Sequence, residues 1–158
     1  MNKNALPISD LSFLINQTQL ILSSYYHWTG KKIWREHKFD DVLAKEIFFA
    51  PFALCSSGNQ TDPILNYGNQ KALELWEMDW NQFTRTPGRY TAETTERKER
   101  ARFLETVQKQ GYIDNYSGIR ISASGRRFKI EQATVWNLID TNGIYKGQAA
   151  NFSNWKFI

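Results

Sequence analysis

The last third of the chain has the fewest ways to fold. Tyr112 to Ser122 alternates polar and apolar residues, with Ile119 and Ile121 on one side and Arg120 and Ser122 on the other. Ser124-Gly125 makes a turn. Phe128 to Leu138 alternates again and puts Phe128, Ile130, Thr134, Trp136 and Leu138 on one face. Asp140-Thr141-Asn142-Gly143 makes a second turn, and Ile144 to Phe152 reads as a final strand. Three period-two segments joined by short turns specify an antiparallel meander with one face turned to a core.

The upstream chain must cover that face. Its first segment reads as a helix, with Ser9 or Asp10 as cap and Leu11, Leu14, Ile15, Leu22 and Tyr26 at helical spacings. Gly30 suits its C-terminal end. A charged connection, Lys31 to Asp41, leads to an apolar stretch in which Ile47, Phe48 and Phe49 read as a strand or its approach. Ser56 to Pro63 is a loop by composition. A short strand, Ile64 to Tyr67, runs into a short helix from Asn69 to Trp76, whose Ala72, Leu73 and Trp76 share a face; Asn69 suits its cap. Thr84 to Thr91 holds Pro87 and Gly88 and reads as irregular. A charged helix from about Thr95 to Gln110 carries the stripe Phe103, Leu104, Val107 and stops at Gly111.

Nothing divides the 158 residues, a length that suits one domain. No linker, repeat or low-complexity run is present. The expected organisation is an N-terminal helical extension over residues 1–40 and a core over 41–158. One cysteine, Cys55, excludes an intramolecular disulfide and fits a reducing compartment. The start, Met1 to Asp10, is polar and mixed, unlike a cleaved leader. No segment approaches the ~20 apolar residues that span a bilayer. A cytoplasmic chain with no membrane partner is expected. The net charge of +4 is spread among acids, as in Glu96-Arg97-Lys98-Glu99-Arg100, which argues against nucleic acid. Arg120, Arg126, Arg127 and Lys129 gather around one hairpin, where a solvated, charge-protected edge is at least as good a reading as a phosphate site.

The order is helix, strand, strand, short helices, long helix, three strands. Five strands with the helices inserted after the second is the order expected of a PAS fold, so the expected architecture is α+β: a PAS-like five-stranded antiparallel sheet, with short helices and one long helix on one face, plus the N-terminal helical extension. In such a fold the sheet curls around a cavity and the long helix closes it.

Particular residues carry a closer resemblance. Gly111-Tyr112, Gly118-Ile119, Ser122, Gly125-Arg126, Gln132-Ala133, Trp136, Phe152, Asn154-Trp155 and Phe157 resemble the MEKHLA domain. So do Asn66-Tyr67-Gly68-Asn69, Ala72-Leu73, Leu75-Trp76, Pro87-Gly88-Arg89, Thr91-Ala92-Glu93 and Gly147-Gln148-Ala149-Ala150. The resemblance extends over nearly the whole chain to bacterial single-domain members. The domain also ends plant homeodomain–leucine-zipper transcription factors, whose upstream domains find no counterpart here. It implies a PAS-related sensing or protein-interaction role and brings no catalytic residues.

The chemistry legible in the residues is sparse. His27, His37 and Cys55 lack metal-ligand spacing, so no metal site is expected. Haem-binding PAS domains usually take a His from the long helix, which has none here; Cys55 or His37 could serve only if the fold brought them to the cavity. Light-sensing PAS domains carry Gly-Arg-Asn-Cys before that helix, where this chain reads Gly88-Arg89-Tyr90-Thr91. A threonine hydroxyl cannot replace the reactive thiol. Any cofactor is therefore unassigned, with flavin and haem disfavoured. No triad, nucleophile elbow or phosphate loop is present. An enzyme with Glu93 or Asp114 as base ranks last, because both sit among polar residues.

Arg89 has two readings, a guanidinium at a cavity mouth holding an anion, and a structural arginine bonding loop carbonyls or Glu93; the second is favoured about two to one. The candidate ligand cavity comprises Trp76, Phe83, Arg89, Tyr90, Phe103, Ile119, Ile121, Phe128, Ile130, Trp136, Gln148 and Phe152. The expected function is a PAS-like domain that holds a small apolar or aromatic ligand and signals through a separate output protein. The alternative is an interaction module with a filled core. A homodimer through the N-terminal helix is a further expectation.

Overall fold

The computed structural model describes Leu6, residues 10–35 and residues 38–158. Helix α1 (Leu11–Thr29) starts where the Asp10 carboxylate accepts the Phe13 N–H at 3.1 Å. The other cap candidate, Ser9, lies outside the described residues. At the far end Gly30, at φ 71°, donates its N–H to the Tyr26 carbonyl at 2.8 Å. Leu14, Ile21 and Leu22 are buried, so the apolar stripe of α1 is covered by its own chain.

The strand expected at Ile47-Phe48-Phe49 is a helix. Residues Asp41–Phe48 form α2, capped by the Asp40 carboxylate on the Leu43 N–H at 3.0 Å. Leu43, Ala44, Ile47 and Phe48 are buried, at spacings of one, four and five that only a helix brings to one side. The first strand comes later, β1 (Ala53–Ser57), which takes Ser56 and Ser57 out of the expected loop. Then follow β2 (Leu65–Gly68), α3 (Gln70–Trp76) and the single turn α4 (Trp80–Phe83). Two 3₁₀ turns, Gly88–Thr91 and Thr94–Glu96, lead into α5 (Arg97–Gln110). The chain ends in β3 (Tyr112–Ile121), β4 (Arg127–Ile139), β5 (Tyr145–Phe152) and β6 (Asn154–Phe157).

The antiparallel sheet has the order β2-β1-β5-β4-β3, and β6 continues β5 along β4. Asn151 pairs with Thr134 and Asn154 with Glu131, so the break at Ser153 lies opposite Gln132.

Two compensating bulges set which residues face which side. Ile113 pairs with Val135 and Tyr116 with Ala133, which leaves one extra residue in β3. Tyr116 to Gly118 then pairs with Ala133 to Ile130, which leaves one extra in β4. Asn115 and Gln132, at φ 56° and 54°, absorb them. Each bulge inverts the alternation beyond it. Phe128, Ile130 and Ala133 therefore share a face with Val135, while Trp136 and Leu138 point the other way, correcting the single face read from the sequence.

The sheet thus serves two cores. On one side Leu54, Tyr67, Trp136, Leu138 and Ala149 meet α1 and α2. On the other Ala53, Leu65, Phe128, Ile130 and Phe152 meet Trp76 of α3 and Phe83 of α4. Asn69 sits between α3 and β1 with no exposed surface. Its side chain accepts from the N–H groups of Ala72 (3.1 Å) and Leu54 (3.0 Å), and donates to the carbonyls of Phe52 (2.8 Å) and Ile47 (3.3 Å).

Candidate ligand cavity

A cavity of about 70 Å³ lies between the second face of the sheet, Trp76 of α3, the Gly88–Thr91 turn and α5. Five of the expected residues line it: Trp76, Phe83, Phe103, Ile130 and Phe152. Leu65, Leu104, Val135 and Ala150 add to the apolar wall. The polar lining is Cys55, Thr91, Arg100, Tyr116 and Arg120. None of these five is in the cavity set read from the sequence: Tyr116 and Arg120 turn inward beyond the Asn115 bulge, which period two does not foresee, Arg100 sits in a helix that reads as charged and solvent-facing, and Cys55 enters only as a metal or haem candidate.

Arg120 is only 6% exposed. Its Nη1 donates to the Ile119 carbonyl at 2.9 Å and its Nη2 to the Tyr116 hydroxyl at 3.1 Å. That hydroxyl donates to the exposed Glu99 carboxylate at 3.1 Å, and Phe103 stacks on the Tyr116 ring at 3.6 Å. Arg100, on α5, faces the same cavity. Among the described residues it makes no hydrogen bond or ion pair. Burial, and then the Arg120 charge, lower its pKa to about 10. A Cβ on Gly88 would stand 2.7 Å from Nη2 of Arg100, and one on Gly118 would stand 2.8 Å from Nη1 of Arg120.

Cys55 faces the cavity as a neutral thiol. Burial pushes its pKa up to about 11, against the opposing pull of Arg100 and Arg120. Thr91 also lines the cavity, and its hydroxyl donates to the Gly88 carbonyl at 2.7 Å. The volume is several times the ~10–15 Å³ that one water needs and well below the ~300–1,000 Å³ of a drug-sized site.

The other expected cavity residues lie elsewhere. Arg89 is exposed and pairs with Asp62, a structural partner other than the one anticipated. Tyr90, 46% exposed, lies under the guanidiniums of Arg89 at 4.5 Å and Arg97 at 4.8 Å. Ile119 and Ile121 alternate away from the cavity because Arg120 points in. Phe128 is buried against Trp76 and Phe157, outside the cavity lining. Trp136 belongs to the α1 side, where its Nε1 donates to the Ile21 carbonyl at 3.2 Å. Gln148 ties α5 to the sheet, donating to the Leu104 carbonyl at 2.9 Å and to Asn137 Oδ1 at 3.2 Å.

Neither acid considered as a base lines the cavity. Glu93 pairs with Arg127, and Asp114 is exposed. The basic hairpin is no single patch either: Arg120 turns inward, Arg127 is paired and Arg126 covers the Phe157 ring at 3.4 Å. His37 lies outside the described residues, and among those described no three His, Cys, Asp or Glu side chains converge as metal ligands.

The MEKHLA domain model matches residues 15–157. This chain belongs to the MEKHLA family. Its curated relatives are Arabidopsis thaliana proteins. Homeobox-leucine zipper protein ATHB-9 is 27% identical over 120 residues, 75% of this chain and 14% of that protein. Homeobox-leucine zipper protein REVOLUTA is 23% identical over 150 residues, 91% of this chain and 18% of that protein. The MEKHLA chain thus spans less than a fifth of these relatives. Among solved structures it is similar to the PAS domain of a protein from Colwellia psychrerythraea, with a TM-score of 0.61 at 15% identity, covering 74% of this chain and 94% of that one. A light-oxygen-voltage domain studied with a flavin analogue gives a TM-score of 0.59 at 13% identity, covering 74% and 84%. The MEKHLA domain therefore has a PAS fold; at these identities the likeness extends to the fold alone. No helix among the described residues is long and apolar enough to cross a membrane.

Proposed function

We propose that this MEKHLA domain is a sensory module that holds a small ligand in the cavity beneath α5 and passes its occupancy to a separate output protein. The carrying observation is the cavity itself: an apolar wall with a few converging polar groups, placed under the long helix of a PAS fold. The domain acts by binding rather than by turnover, with Arg100, Tyr116 and Arg120 orienting the ligand.

Absorbance of the freshly purified protein, followed by mass spectrometry of its denatured extract, tests this. A released small molecule at near-stoichiometric yield is the expected result. An empty extract, together with no thermal shift from any member of a metabolite panel, refutes it. The modest cavity volume favours a second reading, an interaction module with a nearly filled core. A homodimer, if formed through α1, must use outward residues such as Tyr26, since Leu14, Ile21 and Leu22 are buried within the chain.

A further inference from the structure

We propose that the cavity is a receptor for a short-chain carboxylate of about two or three carbons, held by the guanidiniums of Arg100 and Arg120. This deepens the sensory reading above and rests on it.

The argument begins with charge. Two cationic groups face one small cavity, and among the described residues no carboxylate pairs with either. The nearest acid in the network, Glu99, is exposed and reaches only the Tyr116 hydroxyl. Arg120 at least keeps two hydrogen bonds. Arg100 has none, although burial and the neighbouring charge both work against its charged state. An unpaired, poorly solvated guanidinium is costly to keep. One anion between the two would relieve both the repulsion and the missing hydrogen bonds. A carboxylate matches the planar fork of an arginine with two parallel N–H···O bonds.

Shape narrows the class. Gly88 and Gly118 leave open the space that a Cβ would take from the two guanidiniums. Beside the few polar groups the wall is mostly apolar, with Trp76, Phe83, Phe103, Ile130 and Phe152 the largest side chains, which asks for an apolar tail. About 70 Å³ limits that tail to one or two carbons beyond the carboxylate. A multiply charged oxyanion such as phosphate would leave much of its shell facing rings, where its lost hydration has no replacement.

The test is calorimetric titration and thermal unfolding of the full chain with sodium propionate, sodium phosphate and sodium chloride at matched ionic strength. Propionate is expected to bind saturably and raise Tm, whereas phosphate and chloride are not. Arg100→Met should weaken propionate binding at least ~10-fold, the loss expected for a charge-assisted pair. The same variant without ligand should unfold at an equal or higher temperature, because it removes a half-buried charge that has no partner among the described residues. Arg100→Lys keeps the charge without the fork and should bind between the two. Propionate binding that survives Arg100→Met overturns the assignment, as does saturable binding of phosphate alone. If propionate does not bind but a neutral metabolite is released from the purified protein, the carboxylate assignment falls and the sensory reading stands. If nothing binds and nothing is released, both fall.

Discussion

Replacing Asn69 by alanine should destabilise the domain by about 3–7 kcal/mol. The side chain has no exposed surface and makes four hydrogen bonds, at 2.8, 3.0, 3.1 and 3.3 Å, to Phe52, Leu54, Ala72 and Ile47. Loss of the α3 cap alone costs ~1 kcal/mol. The Leu54 N–H and the Phe52 carbonyl lose the partner that Asn69 supplies, at ~1–3 kcal/mol for each buried group left unpaired. At ~2–4 °C per kcal/mol for a chain of this size, Tm should fall by roughly 10 °C. Urea denaturation followed by circular dichroism measures the free energy. Asn69→Asp adds a sign test. It keeps an acceptor for the two N–H groups but sets a carboxylate against two carbonyls, which raises its folded pKa. A carboxyl raised in the folded state contributes stability that is present below its unfolded pKa and lost as pH rises. The Asp variant should therefore recover toward wild type near pH 4 and fall away by pH 8. An Ala variant within ~1 kcal/mol of wild type, or an Asp variant that is most stable at pH 8, refutes the reasoning.

Cys55 should be alkylated by iodoacetamide about 100-fold more slowly at pH 8 than an unperturbed thiol of pKa 9.0, because a pKa of about 11 cuts the thiolate fraction by two decades; a rate within ~3-fold of an unfolded control counts against this. Through linkage, the Cys55 contribution to stability is complete below pH 9 and lost as pH rises through about 11, so the stability gap between wild type and Cys55→Ala should narrow over that window. Gly88→Ala should cost less than ~1 kcal/mol, because the one close contact of the new Cβ is the flexible end of Arg100, which can swing aside; a loss above ~2 kcal/mol in the urea midpoint would show that the guanidinium is held in place. Tyr67→Phe should change stability by less than ~1 kcal/mol, since among the described residues the buried Tyr67 hydroxyl has only the Thr18 hydroxyl beside it and no well-formed hydrogen bond, and a larger loss would show that the two hydroxyls bond.

The meander and the long helix were legible from alternation, turn residues and Gly111. Asn69 announced its cap by residue type and place. The α2 helix was not legible, because its eight residues run directly into Phe49, and a short apolar run reads equally as strand. The bulges were not legible either. Positive φ usually announces itself through glycine, and Asn115 and Gln132 take it instead. Missing them sent Ile119 and Ile121 inward and Arg120 outward, the reverse of the structure. The aromatic half of the cavity could be named from composition because apolar rings have few other places to go. The cationic half could not, since Arg120 in an alternating strand and Arg100 in a highly charged helix both read as solvent-facing.

The bulge at Gln132 makes β4 a two-sided lever. Val135 borders the cavity, and its neighbour Trp136 is locked to α1 through the Ile21 carbonyl. Filling the space beneath α5 would press on the residue next to that indole, and so bring the middle of the N-terminal helix within one peptide of whatever occupies the cavity.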